Sequence, residues 1–126
     1  MRQRLIVWMA SLVLFACEPG DGVGTAGLEA RPDSSPARAR GGSLYAEHCV
    51  LCHGPRGDGR GVRRDSLSRP PADFGNPVWR ERRSAGDVFR AIRNGVPGTD
   101  MPAWHEFDDD QVLDLVAHVL SLGERR

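Results

Sequence analysis

The five residues Cys49-Val50-Leu51-Cys52-His53 constrain this chain more than any other feature. On a helix, positions 49, 52 and 53 stand at i, i+3 and i+4, so two thiols and an imidazole project from one face. Three donors held that close together are a device for gripping something, and the rest of the chain is short enough to need one. A compact domain below about 100 residues buries a marginal core and is usually stapled by a covalent or metal link.

Three of the readings open to such a cluster fail on context. A thioredoxin-like redox pair belongs beside a βαβ pattern, and no stretch shows sustained period-2 alternation. A zinc site asks for four separated ligands, whereas only Cys49 and Cys52 lie in the folded part and no second pair follows at finger-like spacing. A disulfide between them leaves His53 without a purpose. The remaining reading is the c-type haem attachment motif. The two sulfurs form thioethers with the porphyrin vinyl groups, and His53 sits under the iron as its proximal ligand. One covalently bound haem c is therefore the expected cofactor.

The other axial ligand follows by elimination. Of three methionines, Met1 and Met9 lie in the N-terminal apolar segment, leaving Met101 in Gly98-Thr99-Asp100-Met101-Pro102-Ala103-Trp104. That stretch is non-helical and can fold over the far haem face. His48, His105 and His118 are the rivals. His48 is expected to point away from the site, His118 belongs to the last helix, and His105 competes because it shares the loop.

The N-terminus reads as a targeting segment. Met1-Arg2-Gln3-Arg4 is basic, and Leu5 to Ala16 is apolar but too short to span a bilayer. Leu14-Phe15-Ala16-Cys17 resembles the bacterial lipoprotein box, which makes residues 1–16 a signal peptide and Cys17 the lipidated first residue of the mature protein. It also accounts for the odd cysteine count. Residues 17–40 then form a tether rich in Gly, Pro, Ser and Ala, whose coil reach is about 25–29 Å. The expected location is the periplasmic side of a bacterial membrane, held by lipid.

The folded domain is expected over residues 41–123 and to be all-α. Ser43 is the expected N-cap of its first helix, Gly54 to Asp73 a long wrapping loop, and Ala85 to Asn94 a helix closed by Gly95. Asp108-Asp109-Asp110 opens a terminal helix with Val112, Leu115, Val116, Val119 and Leu120 on one face and Gly123 at its end. Formal charge is zero, with 17 acidic and 17 basic residues, all of the latter arginine, so nothing suggests a nucleic-acid partner. Arg56, Arg60, Arg63, Arg64, Arg80, Arg82 and Arg83 crowd the middle of the domain and could steer an acidic redox partner.

Residues 41–122 as a whole resemble a class I monohaem cytochrome c of the compact bacterial type. The blocks are Gly41 to Tyr45 leading into Cys49-Val50-Leu51-Cys52-His53-Gly54, the loop from Gly57-Asp58-Gly59 to Pro71-Ala72-Asp73-Phe74, and Gly95 to Trp104 with the terminal helix. The resemblance implies helices wrapped round one haem, with Gly41 and Tyr45 where the first and last helices cross. It implies that the Pro71 carbonyl accepts from the other ring nitrogen of His53, with Pro70 as the alternative. His118 departs from the family, which carries an aromatic there. The function implied is electron transfer by a membrane-tethered carrier whose donor and acceptor are redox proteins. An electron-accepting subunit of a periplasmic oxidoreductase is the alternative, and a haem sensor is a more remote one. No nucleophile–base pair or vacant metal position suggests an enzyme in its own right.

Overall fold

The computed structural model of the chain describes residues 35–124. In order these form α1 (Ser35–His48), α2 (Val50–His53), α3 (Pro77–Arg82), α4 (Ala85–Asn94) and α5 (Asp109–Glu124), with a 3₁₀ turn at Arg64–Ser66 between α2 and α3. There is no strand among the described residues, and the domain is all-α as expected. Residues 1–34, on which the expected signal segment, Cys17 and most of the expected tether fall, lie outside the described residues.

The terminal helix is the spine of the core. Asp108 and Gln111 cap it reciprocally: the Gln111 N–H donates to the Asp108 carboxylate at 2.8 Å and the Asp108 N–H to the Gln111 side-chain oxygen at 2.9 Å. Val112, Leu115, Val116 and Val119 are then buried at helical spacing. Each such side chain contributes about 1.5–3 kcal/mol when fully buried. Gly123, expected to end the helix, lies inside it. A Cβ there would sit 2.6 Å from the Phe74 carbonyl oxygen, and the Gly123 carbonyl accepts from Arg80 at 2.7 Å. Its smallness serves packing, not termination.

Helix α1 begins at Ser35, six residues before the domain boundary expected at residue 41. Ser43 is therefore not an N-cap; it sits within the helix, its hydroxyl 3.4 Å from the Ala39 carbonyl. Residues 35–40 show no amphipathic pattern, but tertiary contacts hold them. Ala37 is buried, and Arg40 makes two hydrogen bonds to the buried Asp114 of α5, at 2.6 and 2.8 Å. Gly41 lets the two helices touch, since a Cβ there would stand 1.9 Å from the Asp114 carbonyl oxygen. One turn on, the buried Tyr45 ring meets the His118 imidazole at 5.0 Å. The crossing expected at Gly41 and Tyr45 is present, with His118 in the aromatic position.

The loop after α2 is built around that helix's unsatisfied carbonyls. Gly59, Gly61 and Arg63 donate their backbone N–H groups to the carbonyls of His53, Cys52 and Leu51 at 2.9, 3.1 and 2.9 Å. Gly61 must be glycine, because a Cβ would lie 2.2 Å from the Leu51 oxygen. The Tyr45 hydroxyl completes the clamp by donating to the Gly54 carbonyl at 2.7 Å.

Candidate cofactor site

Cys49 sits at a slight break between α1 and α2, with φ −113° and ψ −29°. The helical bonding nevertheless continues through it: Cys49 N–H donates to Tyr45 and His53 N–H to Cys49, both at 2.9 Å. The i, i+3, i+4 relation of Cys49, Cys52 and His53 is thereby kept. All three line one cavity of about 390 Å³, together with Pro71 and Met101. The structure thus gathers every expected haem-site residue of the folded domain around a single space. Much of the remaining wall is apolar, including Phe74, Val88, Ile92 and Leu115.

Burial governs the chemistry of these groups. The Cys49 thiol is pushed up to about 11, first by burial and then by the neighbouring Cys52. A thiol in that state is mostly protonated at neutral pH. Among the described residues no three His, Cys, Asp or Glu side chains are grouped to hold a metal ion by themselves. Burial likewise lowers the His53 pKa, with the Ala72 backbone acting in the opposite sense, and so favours the neutral ring that iron ligation requires. The ring stacks on Phe74 at 4.9 Å and 21°.

Pro71, whose carbonyl the resemblance pairs with the His53 ring, lines the same cavity as that ring. The Nδ1 atom of His53 is buried without a hydrogen-bond partner. The Pro71 carbonyl packs against Gly59, where a Cβ would come within 2.6 Å of its oxygen. Gly59, at φ +70°, has the conformation and the bare Cα that this approach requires.

Met101 is carried by a loop folded back on α4. The Met101 carbonyl accepts from Val96 N–H at 3.2 Å, and its own N–H donates to the Thr99 hydroxyl at 3.2 Å. Farther on, Trp104 N–H donates to the Ile92 carbonyl at 3.1 Å. Asp100 ties this loop to the segment after the 3₁₀ turn by accepting from both the backbone N–H and the hydroxyl of Ser68. Those bonds hold its carboxyl below the usual range.

The rival histidines fall in distinct places. His105 is exposed and absent from the cavity wall. His118 is committed to the α1–α5 crossing, 3.3 Å from the Arg38 carbonyl. His48, expected to point elsewhere, does line the cavity, but its ring is held edge-on against Trp104 and Phe107 at 5.5 and 5.1 Å. Sequence reasoning missed Phe74, Trp79, Arg69 and Arg83 as lining residues. Only Trp79 had a local signal, since Asn76-Pro77 marks the start of α3 and the Asn76 side chain accepts from Val78 and Trp79 N–H.

Two thiols, an imidazole and a thioether around a largely apolar cavity are groups that could hold a covalently attached iron porphyrin. Residues 36–119 match the family described as cytochrome C oxidase, cbb3-type, subunit III.

The chain belongs to this family.

It is 31% identical over 97 residues to the cbb3-type cytochrome c oxidase subunit CcoP of Azospirillum brasilense, a match covering 76% of this chain and 32% of that subunit. Subunit FixP of Azorhizobium caulinodans is 28% identical over 95 residues, 75% of this chain and 30% of FixP. A chain of the Kuenenia stuttgartiensis reducing HAO-like protein complex superimposes with a TM-score of 0.68 at 31% identity, covering 83% of this chain and 51% of that one. The match spans about a third of the length of these oxidase subunits. Membership makes the chain a cytochrome c domain, a type of domain that implies a covalently bound c-type haem and electron transfer through it.

Proposed function

We propose that Cys49 and Cys52 hold the haem through thioether bonds, that His53 and Met101 supply its two axial ligands, and that the protein is a periplasmic carrier lipid-anchored through Cys17. The observation that carries the ligand assignment is the cavity on which all four side chains converge. Bound there, the haem supplies a one-electron iron centre. Held by His53 and Met101, the iron would have no position left for a substrate, and electron exchange would require little rearrangement. The neutral thioether and the apolar wall favour the less charged ferrous state and raise the potential. The anchor has support from the sequence of residues 1–17, and no described helix is long and apolar enough to cross a membrane.

The absorption spectrum of the mature protein tests the ligands. A reduced spectrum of covalent haem and a weak long-wavelength thioether–iron band in the oxidised form are expected. Met101→Ala should abolish that band; its survival would remove Met101 from the site. A second reading is favoured by the relatives, which are subunits of cbb3-type oxidases. In it the same domain docks permanently in a redox complex, and a stable large complex on gel filtration from native membranes would select it over a free shuttle.

A further inference from the structure

Four side chains of full charge line the otherwise largely apolar cavity: Arg69, Arg83, Asp87 and Asp100. Both carboxylates are already engaged. Asp87 accepts from the Ser84 backbone N–H and hydroxyl, each at 2.8 Å, and from Arg90 at 2.6 Å. Asp100 is taken by Ser68. Neither arginine has a hydrogen-bond or ion-pair partner among the described residues. Both are exposed, which places them on the rim of the cavity. The wall therefore presents two uncommitted cations to whatever fills it.

Their backbones are fixed. Arg69 lies between Ser68, tied to Asp100, and the stiff pair Pro70-Pro71. Arg83 is the extended residue (φ −120°, ψ 116°) between the end of α3 and the Ser84 cap of α4. A haem is apolar over most of its surface but carries two propionate carboxylates, and a planar guanidinium matches a carboxylate in a two-pronged hydrogen bond. We propose that Arg69 and Arg83 bind the two haem propionates, an assignment that rests on the haem occupying this cavity.

Pairing a propionate with a cation reduces the negative charge felt at the iron and favours the ferrous state. The test uses the full exported protein with Arg69→Gln, Arg83→Gln, the corresponding Lys variants, and Arg64→Gln as an exposed control outside the cavity wall. Redox titration and the propionate bending bands in resonance Raman are read on protein whose haem content and thioether–iron band are intact. Each Gln variant at the rim should lower the midpoint potential relative to Arg64→Gln and shift a propionate band, with the Lys variant restoring the potential in part. If a rim variant retains haem yet matches the control in both readouts, that arginine is not a propionate partner. Where a Gln variant fails to accumulate, the Lys variant carries the test, since loss of the guanidinium fork alone should move the Raman band. Wild-type protein without covalent haem would instead overturn the reading of the cavity itself.

Discussion

Gly41 is the residue on which the helix crossing turns, because the Asp114 carbonyl occupies the space its Cβ would need. Gly41→Ala must push α1 and α5 apart and disturb the Arg40–Asp114 pair beside it. Overpacking of this kind costs about 1–3 kcal/mol, occasionally more, and urea unfolding of the holoprotein should show a loss in that range. Asp87 offers a pH-dependent counterpart. The Ser84 backbone N–H and hydroxyl, followed by Arg90, hold its carboxyl below the usual carboxylate range. A carboxyl whose pKa is depressed by folding stabilises the fold above its unfolded value, about 3.9, and that contribution is lost as pH falls through the lower folded value. The stability gap between wild type and Asp87→Asn should therefore be steady at neutral pH and close below about pH 4. Denaturant titrations at a series of pH values check this; a gap that widens on acidification would contradict it.

At the scale of elements, legibility followed periodicity and capping. Helix α4 was readable over Ala85–Asn94 because Val88 and Ile92 repeat at helical spacing and Gly95, at φ +71°, turns the chain away. Its capping box, in which the Ser84 hydroxyl accepts from Asp87 N–H at 3.2 Å, should make Ser84→Ala cost about 1 kcal/mol, measurable by thermal unfolding. Helix α5 was readable for the same reasons. The start of α1 was not, because Ser35 to Arg40 carry no apolar stripe and owe their helix to Ala37 and Asp114, contacts made across the fold. Helix α3 is too short for a period to show. The site divided in the same way. Cys49, Cys52 and His53 were visible because their spacing is local, and Met101 because it is the one methionine in residues 41–123. Arg69 and Arg83 stand among many arginines, and only the cavity distinguishes them.

On the scale of the molecule, a small helical core is wrapped round a cavity lined by Tyr45, Val88, Ile92, Leu115 and Val119, all of them core residues. Core and cofactor site thus share one set of side chains, so filling the site and stabilising the fold are a single event. Charge at the surface bears on encounter instead. Arg56 is paired with Asp58 and Arg80 bonds the end of α5, but Arg60, Arg63 and Arg64 are exposed. Electron-transfer rates with an acidic redox protein should fall several-fold as salt rises from about 50 to 200 mM; rates independent of salt would dismiss steering. The account as a whole depends on haem being joined to the segment containing Cys49 and Cys52. Intact and peptide mass spectrometry of the exported protein should find the mass of one haem added there, and a peptide of unmodified mass from soluble, folded protein would contradict it.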